Sequence, residues 1–483
     1  MRYHWINWTV IAVYLGAMVG VGFWFMHRNK SADDYFKGGG RLPWWVVSLS
    51  IYATLFSSIT FLSLPALTYH TDCRYFVKTF GILVMVPLVV RFYLPFFRRL
   101  NLTSAYEYLE VRFNLACRLF ASAAFTLFMI ARTAVVAYLP AIAIAAVTDL
   151  DVNTAIVAVT AATVVYCTIG GVEAVVWSDF VQSAILIVST AAIYVYLVAG
   201  TDGGLAGFIA KGAAAGKFKM LDFGLDWAQP VFWVALVGGL VENLASYTSD
   251  QCVVQRYMTT KDEKGAAKSI RLNGVLSFVN CFVFFTLGVA LWTFYQSRAD
   301  RIPALEKNDQ IFPWFIANEL PAGFSGVVLA AVAAATMSTL SSNLNSAATA
   351  VTTDFYDRIF KGRNRLLCGK VATVAVGVLG GAFALVLANM SFGSVYDQFL
   401  RFLGVLTGGL GCLFLMGRFM KCVNGRGAFT GLVANYIVTF ALDLAPFAHK
   451  PHVMIYGVFG MAACLVTAPL ASMFFDRRRR RAG

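Results

Sequence analysis

Long apolar runs fill most of the chain, and short polar stretches separate these runs. A membrane-spanning helix needs about 17 to 25 predominantly apolar residues. Thirteen apolar segments reach this length, some of them longer than one span, and they cover residues 5–26, 43–67, 76–98, 116–148, 153–170, 172–200, 230–256, 268–297, 311–357, 366–391, 394–418, 427–446 and 452–475. The pattern predicts an all-α polytopic membrane protein with about thirteen transmembrane helices.

Composition narrows the class of protein further. Of the 483 residues, 59% are hydrophobic and 13% are charged, whereas soluble domains carry about 25% charged residues. This excludes a soluble enzyme, a disordered chain and a fibrous protein. The nine cysteines form no CxxC pair, and the sequence contains no phosphate-binding loop. We therefore expect neither a cysteine metal site nor ATP-driven chemistry.

The basic residues are distributed unevenly between the two sides of the predicted spans. Of the 39 Lys and Arg residues, 26 are counted on the side of the C-terminus, among them Arg256 at the end of the seventh segment, and 10 on the opposite side. By the positive-inside rule, the N-terminus lies outside and the C-terminus lies in the cytoplasm. The net charge of +14 is thus explained without a nucleic-acid partner.

Hydroxyl side chains interrupt the second apolar segment. No formal charge occurs between Arg41 and Asp72, yet seven Ser and Thr residues interrupt the segment 43–67: Ser48, Ser50, Thr54, Ser57, Ser58, Thr60 and Ser63. Such a cluster is typical of a locally unwound helix whose freed carbonyls bind an ion or a hydroxylated ligand. Alternatively, each hydroxyl bonds the carbonyl four residues earlier in its own helix.

The ninth segment carries a second polar cluster. Helical periodicity places five of its side chains on one face: Ser338, Ser341, Ser342, Asn345 and Ser346. Hydroxyl and carbonyl oxygens are hard ligands that suit a desolvated alkali ion. The alternative is close helix packing through small residues, which the alanine-rich run 330–335 also fits.

Asp179 and Arg132 are charged residues inside predicted spans, where ionisable residues are expensive and need a reason. Asp179 lies about two turns inside the sixth segment, and Arg132 lies near the middle of the fourth. The two could pair with each other. Alternatively, Asp179 faces a cation and Arg132 faces an anionic substrate, because a planar guanidinium binds both oxygens of a carboxylate.

Paired glycines predict a break in the seventh segment. Gly238 and Gly239 lie within the apolar run of this segment, and adjacent glycines favour an interruption of a membrane helix. The seventh segment follows the second by five spans. This spacing matches a five-plus-five inverted repeat in which the first helix of each half is discontinuous.

Several stretches of the chain resemble the sodium:solute symporter family. They cover residues 31–41, 53–63, 102–110, 170–182, 253–257 and 338–346. Within that family, Ser57, Thr60 and Arg132 resemble positions of the bacterial sodium-coupled sialic acid symporters. The resemblance implies a LeuT-type five-plus-five inverted repeat in one domain, residues 1–483, that works by alternating access. Its core repeats would cover about 43–200 and 230–418, and the extra helices about 5–26, 427–446 and 452–475.

The resemblance also implies two Na⁺ sites and one substrate site. One Na⁺ site would use Ala53, Phe56, Ala335, Ser338 and Thr339. A second Na⁺ site, found in some members, would use Asp179, Ser338, Ser341 and Ser342. The substrate site would involve Ser57, Thr60, Tyr75, Thr79 and Arg132, with Arg132 binding the carboxylate. The sialic acid branch has Gln where Thr79 stands and Phe where Tyr75 stands.

These features predict a transporter of the bacterial inner membrane rather than an enzyme. The leading hypothesis is Na⁺-driven import of a carboxylated sugar such as sialic acid, or of another small organic anion. A second is Na⁺-coupled symport of a neutral sugar or amino acid, with Arg132 purely structural. A third is a non-transporting membrane sensor, although no soluble signalling domain follows residue 476. The expected partners are Na⁺, a small anionic solute, and membrane lipid, without an obligatory protein partner.

Overall fold

The computed structural model describes residues 5–26, 36, 38–100, 102–145, 150–302, 305, 308–362, 364–390, 395–444 and 450–482. Most of the stretch 31–41, which carries part of the family resemblance, lies outside the described residues.

The helices of the first half are α1 (Trp5–Met26), α2 (Trp44–Leu55), α3 (Leu64–His70), α4 (Phe80–Leu88), α5 (Leu94–Leu100), α6 (Glu107–Arg112), α7 (Leu115–Ala145), α8 (Val152–Gly200) and α9 (Gly204–Ala214). Two π-helical turns, Ile59–Ser63 and Val89–Tyr93, and two 3₁₀ turns, Gly38–Gly40 and Arg74–Thr79, connect some of them.

The helices of the second half are α10 (Phe232–Thr248), α11 (Gln251–Thr259), α12 (Glu263–Tyr295), α13 (Ile311–Asn318), α14 (Phe324–Ala350), α15 (Arg358–Phe360), α16 (Arg365–Ala388), α17 (Val395–Phe419), α18 (Gly425–Leu444) and α19 (Tyr456–Ala482). A π-helical stretch, Val351–Asp357, and the 3₁₀ turns Ala299–Arg301, Asn308–Gln310 and Val453–Ile455 complete the set.

By length and composition, ten helices of the described chain can cross a membrane, or eleven when the bent pair Trp44–Leu55 and Ile59–His70 counts as one span. These eleven correspond to every predicted segment except the first and the seventh. The predicted total of thirteen therefore stays a prediction. The boundary between the fifth and sixth segments is confirmed, because Gly171 adopts φ 62° and ψ −172° and interrupts α8.

The second predicted segment is interrupted at its centre, as its hydroxyl cluster predicts. Helix α2 ends at Leu55, Phe56 leaves the helical conformation (φ −92°, ψ 94°), and the chain bends by 59° before continuing. Pro65 follows at the start of α3. Because proline has no N–H to donate to the carbonyl four residues earlier, it favours the irregular π-helical turn before it.

The seventh predicted segment is also interrupted, but the predicted position was wrong. Helix α10 runs without a break through Gly238 and Gly239, and the interruption falls at Ser249 and Asp250. The glycines serve close packing instead, since a Cβ on Gly238 would lie 2.7 Å from the carbonyl oxygen of Met454. The break has its own cause: the Asp250 side chain accepts from the backbone N–H of Cys252 at 2.8 Å and caps α11.

Two long helices, α7 and α14, lie at the centre of the bundle, and α14 packs against α1, α7, α8 and α16. Helix α2 lies against α8 and α12. The polar face of α14 is therefore buried rather than exposed to lipid: Ser338, Ser341 and Ser342 are at most 1% exposed. The interrupted α2, the interrupted α10 and these central helices enclose the polar residues described next.

Candidate substrate cavity and ion-binding residues

The break after α2 frees backbone carbonyls at the centre of the protein. The carbonyl of Thr54 accepts a hydrogen bond from Arg132 Nη2 at 2.7 Å. The side chain of Ser57 accepts from the N–H of Ile59 at 3.2 Å, which stabilises the resumption of the helix. Of the hydroxyls of this segment, Thr54 Oγ1 bonds the carbonyl of Ser50 four residues earlier, as the alternative hypothesis predicts, whereas Ser58 Oγ bonds the Val136 carbonyl on α7, which neither hypothesis predicts.

Arg132 connects the two helix breaks. Its Nη1 lies 3.5 Å from Asp250 Oδ2 at the second break, while Nη2 bonds Thr54 at the first. The residue is 4% exposed. Its Nε is buried and has no hydrogen-bond partner among the residues the structure describes. A buried guanidinium with an unused donor is costly, and it retains capacity to bind an acceptor in the adjoining cavity.

That cavity has a volume of about 110 Å³. Four of the five predicted substrate residues line it: Ser57, Thr60, Thr79 and Arg132. The ion pair of Lys78 and Glu242 lines it as well, with Lys78 Nζ 3.1 Å from Glu242 Oε1. Four of the residues predicted to bind substrate thus lie together at one cavity, whereas the pairing of Lys78 with Glu242 was not predicted from the sequence.

The fifth predicted substrate residue, Tyr75, is not among the residues that line this cavity. Its hydroxyl lies 2.9 Å from His452 Nε2, and its ring packs edge-on against Tyr396, which does line the cavity. Burial lowers the pKa of His452, just before the last span, to about 4. The imidazole is therefore neutral near pH 7 and adds no charge at this position.

Asp179 lies in a second, fully enclosed polar cluster. Its Oδ2 accepts from Ser50 at 2.5 Å and from Arg256 Nη2 at 2.9 Å, and its Oδ1 accepts from Ser338 at 2.6 Å. Arg256 Nη2 also donates to Ser342 Oγ at 2.6 Å. The cluster thus contains three of the four residues predicted for the second Na⁺ site, and Ser341 lies beside it with its hydroxyl bonded to the Ser338 carbonyl.

The residues predicted for the first Na⁺ site are all buried. Ala53 and Phe56 lie at the interrupted end of α2, and Ala335, Ser338 and Thr339 lie on α14. The two elements meet where Thr54 Oγ1 approaches Ser342 Oγ at 3.2 Å. Thr339 Oγ1 donates to the carbonyl of Ala335 at 3.0 Å, and Ser338 donates to Asp179. Ser338 therefore belongs to both predicted sets.

The structure corrects two expectations about charge. The hypothesis that Asp179 and Arg132 pair with each other was wrong, because Asp179 pairs with Arg256 and Arg132 pairs with Asp250. Arg256 was also wrongly assigned to a basic loop, since it is 1% exposed. The sequence did contain one signal for the position of Asp250, the partner of Arg132: Ser249 and Asp250 form a helix-capping sequence before α11. No local signal identifies Arg256 as the partner of a residue 77 positions away.

Comparisons with known proteins identify the family of this chain. Residues 35–434 match the family model described as the sodium:solute symporter family. The sodium/sialic acid symporter SiaT of Proteus mirabilis (strain HI4320) is 35% identical over 474 residues, which cover 96% of this chain and 95% of that protein. The sodium/sialic acid symporter NanT of Aliivibrio fischeri (strain ATCC 700601 / ES114) is 34% identical over 478 residues, covering 97% and 93%.

A solved structure described as the substrate-bound outward-open state of a Na⁺-coupled sialic acid symporter superposes with a TM-score of 0.90 at 34% identity, covering 97% of this chain and 98% of that one. The predicted all-α, LeuT-type fold is thereby confirmed, and the protein is a multi-pass inner-membrane protein and not an enzyme. With the family model matching most of the sequence and relatives aligned over nearly its whole length, the chain belongs to the sodium:solute symporter family.

Proposed function

We propose that this protein is a Na⁺-driven symporter that imports a carboxylated sugar such as sialic acid, or another small organic anion, by alternating access. Two relatives and one similar structure are sialic acid symporters coupled to sodium. Import would proceed with the N-terminus outside and the C-terminus in the cytoplasm, the orientation that the distribution of basic residues favours.

The single observation that carries the substrate proposal is the state of Arg132. A guanidinium has five N–H donors in a fixed fork, and here the Nε donor is unused among the described residues while the Asp250 contact is long, at 3.5 Å. A substrate carboxylate in the cavity would accept from this edge in a charge-assisted pair. Ser57, Thr60 and Thr79 line the same cavity and offer hydroxyls to the rest of the substrate.

Na⁺ would bind at the residues named from the family resemblance: Ala53, Phe56, Ala335, Ser338 and Thr339 for the first ion, with Asp179, Ser338, Ser341 and Ser342 for a second. Binding of the second ion would require Arg256 to release Asp179 and Ser342. Two features support this proposal. The interrupted α2 supplies carbonyl oxygens that no longer belong to a regular helix, and the hydroxyls of α14 face this region. Oxygen ligands of this kind can replace the hydration shell of an alkali ion.

A second candidate function is Na⁺-coupled symport of a neutral sugar or amino acid. The observation in its favour is that Arg132 already bonds Thr54 and Asp250, which is what a purely structural arginine would do. The two candidates differ in one respect: only the first requires the substrate to present an anion to Arg132.

The deciding experiment measures Na⁺-dependent uptake of N-acetylneuraminate and of its carboxyl amide in proteoliposomes. If Arg132 binds the carboxylate, the amide competes poorly with the acid in the wild type. Arg132→Lys should weaken apparent affinity for the acid, and Arg132→Ala should weaken it more, by about ten- to a hundredfold, since hydrogen bonds to charged groups contribute about 1.5–3 kcal/mol. The amide should lose little further in either variant.

Equal competition by acid and amide in the wild type would assign Arg132 a structural role and favour the neutral-solute candidate. A parallel Thr68→Ala variant serves as the control, because Thr68 is buried on α3 and its hydroxyl bonds only its own helix, at Leu64. It should leave the preference for acid over amide unchanged.

A further inference from the structure

A second ion pair lines the substrate cavity and has no role in the function proposed above. Lys78 Nζ lies 3.1 and 3.2 Å from the two carboxylate oxygens of Glu242. The side chains of Lys78 and Glu242 are 12% and 23% exposed. Lys78 Nζ also lies 5.1 Å from the centre of the Tyr396 ring, which lines the same cavity. The pair is thus accessible to a solute in the cavity but largely removed from bulk water.

Close backbone packing fixes this pair in place. A Cβ on Gly81 would lie 2.6 Å from the carbonyl oxygen of Gly239, and a Cβ on Gly239 would overlap the backbone of Lys78. The 3₁₀ turn that carries Lys78 therefore lies directly against α10, one turn before Glu242. A polar group held this way loses little conformational freedom when a ligand binds, which favours affinity.

The acidic members of the two ion pairs that line the cavity are attached to α10 about two turns apart. Glu242 on α10 and Asp250 at the end of that helix are eight positions apart, which at 1.5 Å per residue corresponds to about 12 Å. Asn243 and Ser246 line the cavity between them. A short acid such as lactate that binds Arg132 cannot also reach Lys78. A sugar acid with an extended hydroxylated tail can contact both.

The charges of the cavity constrain the substrate as well. Its charged lining residues are Lys78, Arg132, Glu242 and Asp250, so its formal charge is zero. At the Lys78 end the cation is already paired through both oxygens of Glu242. A second anionic group there would face the Glu242 carboxylate, whereas a neutral hydroxyl or amide can donate to Glu242 and accept from Lys78.

We infer that the Lys78–Glu242 pair binds the neutral, hydroxyl- or amide-bearing end of a substrate whose single carboxylate binds Arg132, and that it selects long polyhydroxy acids over short monocarboxylates. This inference rests on the proposed function, because it assumes that Arg132 holds the carboxylate.

The test combines a paired substitution with a shortened ligand. Lys78→Met with Glu242→Gln removes both charges together and leaves no lone buried charge. The probes are N-acetylneuraminate and the analogue whose glycerol side chain has been shortened by periodate cleavage and reduction. The double variant should bind N-acetylneuraminate about tenfold more weakly than the wild type does. The shortened analogue should bind both proteins with the same, weaker affinity.

The matched control is Lys211→Met with Asp202→Asn, which removes a Lys–carboxylate pair that does not line the cavity. It should leave both affinities unchanged. Glu242→Gln alone provides a second variant if the paired substitution prevents folding, and it should weaken binding of N-acetylneuraminate more than binding of the analogue. Equal losses for both ligands, or no loss for either, would overturn the inference, because the pair would then only hold helices together or do nothing.

Uptake by the wild-type protein distinguishes failure of the inference about Lys78 and Glu242 from failure of the proposed function. Uptake of lactate without uptake of N-acetylneuraminate would overturn the selection of long acids and leave carboxylate symport intact. Na⁺-dependent uptake of neither acid would reject the proposed function itself.

Discussion

Among the buried arginine–aspartate pairs of the described residues, Arg256–Asp179 and Arg132–Asp250 differ in how completely their hydrogen-bonding groups are used. Arg256 and Asp179 lie 2.9 Å apart, and Arg256 further bonds Ser50, Ser342 and the Cys252 carbonyl. Arg132 and Asp250 lie 3.5 Å apart beside a cavity, and Arg132 Nε lacks a partner among the described residues. We call the Arg256–Asp179 pair closed, because its donors are bonded within the protein, and the Arg132–Asp250 pair open, because one donor beside the cavity is unused among the described residues.

The difference indicates different roles. A buried charge pair is stable only when hydrogen bonds satisfy its remaining donors and acceptors, and the Arg256 cluster meets that condition without a ligand. The Arg132 pair does not meet it, so the site gains from an anion that enters the cavity. Buried charge alone therefore does not identify a substrate site in this fold, whereas an unsatisfied donor at a cavity does.

The largest effect should come from breaking the closed pair. Arg256→Ala would leave Asp179 charged and unpaired in a fully buried position, a loss that typically costs about 3–5 kcal/mol. We expect a clear fall in the thermal unfolding temperature and in the yield of monodisperse protein in detergent. Arg132→Ala, measured beside it, should destabilise the protein less, because Asp250 borders the cavity. Equal destabilisation by the two substitutions would remove the distinction between the pairs.

A smaller effect is expected from removing two proposed ligands of the first Na⁺ site, which adjoins the Asp179–Arg256 cluster. Ser338→Ala with Thr339→Ala removes two hydroxyl ligands from a desolvated ion. Apparent Na⁺ affinity in uptake assays should fall about tenfold or more, corresponding to about 1.4 kcal/mol. Thr336→Ala is a matched control on the same helix, because the Thr336 hydroxyl bonds only its own helix, at Val332. Unchanged Na⁺ dependence in the double variant would refute the assignment of these ligands.

The smallest effect should come from removing the charge of Asp250 from the Arg132–Asp250 pair. Asp250→Asn keeps a good helix cap but removes the anion that competes with substrate for Arg132. Apparent affinity for an acidic substrate should rise a few-fold, with little change in thermal stability. Binding can be followed by isothermal titration with N-acetylneuraminate in the presence of Na⁺. A loss of affinity instead would mean that Asp250 positions Arg132 and does not compete with the substrate.

Local sequence pattern determined the secondary structure of this protein to a large extent. Hydropathy located eleven of the predicted spans, because a membrane helix must satisfy its own backbone and present apolar side chains over its whole length. The hydroxyl cluster around Ser57 predicted the break after α2, and Gly171 lies at the predicted boundary within α8. Together with the family resemblance, the same pattern selected Ser57, Thr60, Thr79 and Arg132, which meet at one cavity.

Tertiary structure decided which charges meet. Asp179 bonds Arg256 across 77 positions, and Arg132 reaches Asp250 across 118. Such pairings depend on how helices pack, and helical periodicity describes only one helix at a time. The prediction of the second break from the paired glycines was wrong for the same reason. Gly238 allows α10 to pack against the backbone of Met454, which lies far along the chain. Sequence thus determined where the helices and their polar positions lie, and packing decided which of those positions satisfy one another and which remain free for a substrate.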